Sequence, residues 1–110
     1  MSKSLVRKIK LHNAVTIGDL SVAFEYYDRD EKEAMLVIVD YSKPRIRRLC
    51  AVRVRKGRRI EIAPGMEVEL HGKATPKTIE LAIFSEGLPV TPGWLYQRKL
   101  RLVAKGELAV

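Results

Sequence analysis

Nine lysine and arginine residues fall between positions 43 and 59 of this 110-residue chain, and no aspartate or glutamate interrupts them. They are Lys43, Arg45, Arg47, Arg48, Arg53, Arg55, Lys56, Arg58 and Arg59. Guanidinium groups make bidentate contacts to phosphate and to the edge of guanine. The stretch therefore predicts a surface that attracts polyanions, of which nucleic acid is the commonest.

Apolar residues alternate with these cations, which indicates a strand rather than a charged tail. At a period of two residues, one face collects Arg45, Arg47, Arg53 and Arg55. The other face collects Ile46, Cys50, Val52 and Val54, with Arg48 as the one basic exception. This pattern is typical of a half-buried strand with a cationic outer face.

Two interpretations of the arginine pair on this strand stay open. Arg53 and Arg55 would lie about 6 to 7 Å apart, which is the span of adjacent phosphates. Alternatively, Glu67 or Glu69 balances them across the sheet, as opposite charges do in cross-strand pairs. The sparse aromatic residues that are available for stacking on bases are Tyr26, Tyr27, Tyr41, Trp94 and Tyr96.

Composition predicts a small folded protein that interacts with anions. The formal net charge is +8, the sequence pI is about 9.9, and 46% of the residues are hydrophobic. This length and this apolar content suit one domain, or two very small ones packed together. Since the basic run has the pattern of a strand and not of an amphipathic helix, nucleic acid is favoured over a membrane surface.

The sequence also predicts a cytoplasmic protein. Cys50 is the single cysteine, which excludes an intramolecular disulfide and fits a reducing compartment. No run of apolar residues is long enough for a transmembrane helix. The first residues lack the apolar core of a signal peptide.

Catalytic constellations do not emerge from the sequence. His12 and His71 have neither cysteine nor carboxylate at ligand spacing, so no metal site is predicted. There is no glycine-rich phosphate loop and no Ser-His-Asp or Cys-His arrangement. We expect a binding protein that needs no cofactor and is not an enzyme.

Alternation and turn signals recur along the chain and predict a mostly β fold. Turn signals stand at Gly18-Asp19 and Pro64-Gly65, between segments that alternate at a period of two residues. About eight or nine short antiparallel strands are expected, arranged as a small barrel or sandwich.

The C-terminal segment has two open interpretations. Thr91 suits the N-cap of a helix and Pro92 its first turn, so a helix from about Pro92 to Lys105 is preferred. Gly106 would end that helix. The alternative is a hairpin that turns at Lys105 and Gly106.

The order of elements repeats at a spacing of about 44 to 46 residues. In each half a basic strand precedes a short strand, a turn, an alternating strand and finally an apolar strand. The apolar strands are Ala34 to Val39 in the first half and Ile79 to Phe84 in the second.

In the order of these elements, residues 49–102 resemble the carbon storage regulator family of small bacterial RNA-binding proteins. The matching motifs are the basic strand at 52–56, Gly57, the turn at 62–65, the hairpin and apolar strand at 66–83, a fifth strand at 88–91, and a helix start at Leu95-Tyr96-Gln97-Arg98. The first half keeps the family's turn as Ile17-Gly18-Asp19.

This resemblance implies two units, residues 1–48 without a helix and residues 49–110 with one, packed as one domain. In the family two chains interleave into a dimer, so a tandem chain is expected to be a monomeric pseudodimer or a homodimer. The family binds GGA-containing RNA loops and blocks translation. Its RNA surface pairs basic residues of the first strand with an arginine after the fifth strand, where this chain has Pro92.

The predicted function is therefore RNA binding that acts sterically on transcripts. The predicted RNA-binding residues are Arg45, Arg47, Arg48, Arg53, Arg55, Lys56, Arg58, Arg59 and Arg98. The alternative is a structural or assembly protein, such as a virion component, or an adaptor for an acidic protein partner. Salt-sensitive RNA binding would indicate the first, and large oligomers formed without nucleic acid would indicate the second.

Overall fold

The computed structural model describes residues 4–41 and 47–95, with the backbone alone for residues 4 and 47–50. This part of the chain forms nine strands. In chain order they are β1 (Ser4–Lys10), β2 (Ala14–Ile17), β3 (Leu20–Asp28), β4 (Glu33–Asp40), β5 (Arg47–Val54), β6 (Ile60–Ala63), β7 (Met66–His71), β8 (Thr78–Ser85) and β9 (Val90–Pro92).

The strands form two antiparallel sheets that share one hydrophobic core. One sheet has the order β1-β8-β7-β6 and the other has the order β5-β4-β3-β2-β9. The predicted mostly β fold with eight or nine short strands is confirmed. Of the two predicted architectures the closed barrel is wrong, because the sheets do not join into one closed cylinder.

Each sheet takes an edge strand from the other half of the chain. β1 pairs with β8, so Ser4 lies opposite Phe84 and Lys10 opposite Thr78. β5 pairs with β4, so Val54 lies opposite Ala34. Backbone pairing within each sheet therefore joins the two halves of the chain, and the β1–β8 and β2–β9 pairs link strands that are distant in sequence.

Strands that occupy equivalent places in the two sheets also have equivalent burial. β4 and β8 start 45 residues apart and have the same burial pattern. In each strand, half-buried and buried residues alternate at first, then three consecutive residues are buried, and the last two residues are half-buried. Leu36 and Leu81 occupy the same place in this pattern, and both are fully buried. The assignment of residues 1–48 and 49–110 to two related units stays a prediction.

The core lies between the sheets and is built from the inward residues of this alternation. Its largest fully buried side chains are Phe24, Ile9, Ile17, Leu36, Ile38, Ile79, Leu81 and Ile83. β-branched residues and leucine suit a pleated, buried surface, and the arrangement leaves charged residues on the outer faces.

Glycines form the two predicted tight turns. Gly18 has φ +58° between β2 and β3, and Gly65 has φ +75° between β6 and β7. A residue with a Cβ is strained in this left-handed region, so both turns favour glycine.

β5 contains an irregularity in its pairing with β4. Ile38 lies opposite Cys50 but Val39 lies opposite Arg48, which leaves Leu49 as an extra residue, as in a β-bulge. Arg47 lies opposite Asp40. The side chains of residues 47–50 lie outside the described part of the structure, so the predicted face containing Arg47 and Arg53, with Arg48 as the exception, stays a prediction.

The predicted helix does not begin at Pro92. Thr91 and Pro92 belong to β9, where they lie opposite Thr16 and Val15 of β2. Leu95 has helical backbone, and the rest of the predicted helix, like the alternative hairpin, lies outside the described residues. In the part of the chain that the structure describes, there is no helix long and apolar enough to cross a membrane.

The segment after β9 is fixed on the outer face of the five-stranded sheet. The Thr16 hydroxyl donates a hydrogen bond to the Gly93 carbonyl at 2.8 Å. The amide of Leu95 donates to the Ser21 hydroxyl at 3.1 Å. Thr16 and Ser21 are the buried polar residues of the described chain, and these bonds satisfy their hydroxyls.

Replacing either equivalent core leucine should weaken both sheets together. We expect Leu36→Ala and Leu81→Ala each to lower the free energy of unfolding by about 2 to 5 kcal/mol, because each leaves a cavity in the shared core. Urea unfolding followed by far-UV and near-UV circular dichroism should give one coincident transition in both variants. Two separate transitions, each moved by one substitution alone, would contradict the shared core.

Candidate nucleic-acid interface

Arg53 and Arg55 lie beside one glutamate on the outer face of the five-stranded sheet. Arg55 Nε donates to a carboxylate oxygen of Glu33 at 3.3 Å, and Arg53 Nη1 lies 4.0 Å from the other oxygen. Arg55 also lies 3.7 Å from the carboxylate of Glu31. The predicted partners Glu67 and Glu69 are wrong, because β4 and not β7 is the neighbour of β5.

These ion pairs leave the arginines accessible. The side chain of Arg53 is 62% exposed and that of Arg55 is 43% exposed, whereas Glu33 is 15% exposed. Ion pairs between exposed groups contribute about 0 to 1 kcal/mol, so a phosphate can compete for these guanidinium groups at small cost. Both arginines share Glu33, and Arg55 also faces Glu31, so the formal charges of these four residues balance while the guanidinium groups stay accessible.

Arg59 lies on the other sheet. Its guanidinium carbon lies 3.6 Å from the ring centre of Phe84, a cation–π contact, and its Nη1 lies 3.4 Å from Glu67. Both partners are outward residues of the four-stranded sheet. Arg59 is therefore separated from Arg53 and Arg55, which the sequence predicted on the same surface.

The other predicted residues divide into three groups. Lys56 and Arg58 are exposed in the connection between β5 and β6. Arg47 and Arg48 are placed by backbone register alone. Arg45 and Arg98 lie outside the described residues.

Lys56 opens onto a cleft that sequence analysis did not predict. We call it the basic cleft; its volume is about 530 Å³. The lining residues are Tyr27, Arg29, Lys32, Lys56, Lys73, Ala74, Thr75 and Pro76. Four of them are cations and none is an acid.

Strand pairing brings the three segments of the basic cleft together. Pairing of β4 with β5 places Lys56 next to the β3–β4 turn, which carries Arg29 and Lys32. Lys56 also forms a parallel bridge with Leu70 of β7, and that strand leads into the β7–β8 turn with Lys73. The cleft thus lies between two turns that occupy equivalent places in the repeated strand order.

A second cavity continues the basic cleft toward Arg55. It has a volume of about 280 Å³ and shares Tyr27, Lys32 and Lys56 with the first. Glu31, Arg55 and Leu70 complete its lining. Arg55, which follows β5, and the basic cleft therefore belong to one continuous surface.

Side-chain caps fix the two turns that border the basic cleft. The carboxylate of Asp28 accepts hydrogen bonds from the amides of Asp30 and Glu31, at 3.0 and 3.2 Å. The hydroxyl of Thr75 accepts from the amides of Lys77 and Thr78, at 3.3 and 3.0 Å. Such local bonds hold turn conformations without a ligand, so the cations start from defined positions.

Sequence analysis missed Arg29, Lys32 and Lys73 because no single stretch contains them. Each of these residues stands in a short polar turn that looks like an ordinary solvated connection. The available signal was the repeat, since turns 45 or so residues apart both carry cations and an interleaved fold brings them close. Tyr27 was considered among the available aromatic residues but was not assigned to a site.

Comparison of the chain with protein-family models, with curated proteins and with solved structures finds no match. Kinship with the carbon storage regulator family therefore stays a prediction that depends on short motifs and on the order of elements.

Removing the shared carboxylate should strengthen anion binding at this surface. We expect Glu33→Gln to elute from a heparin column at higher salt than the wild type, because Arg53 and Arg55 lose their common partner. The free energy of unfolding should fall by about 1 kcal/mol or less.

The matched control is Glu61→Gln, which removes the same charge from an exposed position on the four-stranded sheet. An equal shift of the elution salt concentration in both variants would mean that binding to heparin depends on net charge alone.

Proposed function

We propose that this protein binds RNA and regulates transcripts sterically, by occupying them. The observation that carries the proposal is the convergence of Arg29, Lys32, Lys56 and Lys73 around one cleft without an acidic lining residue. An acid-free group of cations around one recess raises the local concentration of anionic ligands.

The repeated architecture supports a more specific version of the proposal. The resemblance to the carbon storage regulator family implies two interleaved units, and in this chain each sheet uses the first strand of the other half. We propose that the chain is a single-chain pseudodimer of this kind. As a regulator it would block translation from the cytoplasm, without catalysis and without a cofactor.

The choice of RNA motif is the part of the proposal with the least support. The family's arginine after the fifth strand corresponds to Pro92, which ends β9 at the opposite edge of the sheet from Arg53. Proline offers no side-chain donor. We therefore propose general affinity for RNA, and preference for GGA loops is a separate outcome of the test.

The deciding experiment is fluorescence anisotropy of the nuclease-treated protein over a salt series. The two probes are an RNA hairpin with a GGA loop and the same hairpin with a scrambled loop. Preference for the GGA loop would support the full regulator proposal, and equal, salt-sensitive binding would support a general RNA binder. No binding near physiological salt, together with large oligomers in solution, would replace the proposal by an assembly role.

Arg53 and Arg55 should contribute to binding through phosphate contacts. We expect Arg53→Ala combined with Arg55→Ala to weaken RNA binding and to reduce the slope of log K against log salt by about 1.4, since each single-strand phosphate contact accounts for about 0.7. The control is the double lysine variant, which keeps both charges but loses the bidentate geometry. It should keep the slope; an unchanged slope in the double alanine variant would remove these residues from the interface.

A further inference from the structure

We propose that the basic cleft is a binding site for single-stranded RNA, in which phosphates meet Lys56 and Lys73 and a base stacks on Tyr27. This inference rests on the proposed RNA-binding function and adds to it the site and the strandedness of the RNA. The predicted cationic strand contributes one residue to this site, and the other cations come from two turns.

The acids close to the basic cleft are occupied by other partners. Asp28 is bound to the amides of its own turn, and Glu31 and Glu33 lie against Arg55. Asp30 does not line the cleft. Glu31 also lines the adjoining cavity with Lys32 and Lys56, so its charge offsets part of theirs. The lining of the basic cleft itself holds four cations and no acid, which suits a phosphodiester backbone.

The volume of the basic cleft matches one nucleotide. A volume of about 530 Å³ is in the range of small-ligand pockets, roughly 300 to 1,000 Å³. This recess therefore accommodates a nucleotide of a flexible strand. Flexible strands can turn a base out of the stack, and sequence-tolerant binders use such bases for aromatic stacking.

Tyr27 is suited to act as the stacking platform because its position is fixed. The residue is half-buried and packs against the hydrophobic core, yet it lines both the basic cleft and the adjoining cavity. An anchored ring loses little conformational entropy when a base stacks on it. Cations on either side, Lys32 and Lys56, would hold the flanking phosphates.

Lys32 has an unusual backbone conformation, which allows its charge to be removed without a cost to the fold. Its φ is +55°, in the left-handed region where glycine is favoured. Lys32→Gly therefore removes the ammonium group and relieves backbone strain at the same time. Any loss of RNA binding in this variant cannot be attributed to a damaged fold.

The test uses a labelled, unstructured RNA of about 12 nucleotides, a length within the site sizes of single-strand binders, and the duplex that it forms with its complement. The wild type should bind the single strand more tightly than the duplex. Lys56→Gln combined with Lys73→Gln should weaken single-strand binding roughly tenfold at physiological salt and reduce the salt slope by about 1.4. Lys32→Gly should also weaken it while it keeps or raises the melting temperature.

The matched control is Lys8→Gln combined with Lys10→Gln. Both residues are exposed on β1 and neither lines the basic cleft, and the substitution removes the same two charges. An equal loss of binding in this control would overturn the assignment of the cleft.

Two tyrosine variants test the stacking contact. Tyr27→Phe keeps the ring and should bind as the wild type does, whereas Tyr27→Leu keeps apolar packing and should lose roughly tenfold or more in affinity. Equal binding by both would overturn the stacking role.

The failures of the two proposals are distinguishable. If the wild type binds neither RNA, the proposed function is wrong, and the assignment of the basic cleft as an RNA site is wrong with it. If the wild type binds RNA but the cleft variants match it, or if it prefers the duplex, RNA binding stands and the basic cleft is not its single-strand site.

Discussion

Pairing of β1 with β8 and of β5 with β4 is the constraint on which the rest of the structure depends. Because each sheet needs a strand from the other half, the inner faces must meet, and the apolar residues of both halves bury one another in one core. The same pairing sets the end of β5 beside the β3–β4 turn and beside the end of β7. The basic cleft is thus a product of strand pairing, and no local segment could form it.

The charged side chains discussed above lie in three regions, namely the outer faces of the two sheets and the basic cleft between them. On one face two arginines share Glu33, and on the other Arg59 is shared by Phe84 and Glu67. The guanidinium groups of these pairs stay accessible, although Glu33 is half-buried. Between the faces, the residues that line the basic cleft include four cations and no acid.

The sequence predicted the features that depend on local pattern and failed where partners are distant. Alternation located the strands, and Gly18 and Gly65 marked two turns. Thr91 and Pro92 carry a strong local signal for a helix start, but pairing with β2 places them in a strand, which a single segment cannot show. Likewise, the glutamate beside Arg53 depends on strand order, and the extra residue at Leu49 depends on register. Lys73 was missed because its neighbours are far away in the chain.

The exchange of edge strands also determines when the protein can fold during synthesis. β1 is made early, but its pairing partner β8 lies about 70 to 80 residues further along the chain, so the first strand must stay unpaired until most of the molecule has left the ribosome. Until then the apolar face of the β3–β4 hairpin is not covered by the four-stranded sheet and is exposed to aggregation. The basic residues along β1 favour the solubility of this strand while it waits for β8, so that their charge protects the nascent chain against aggregation.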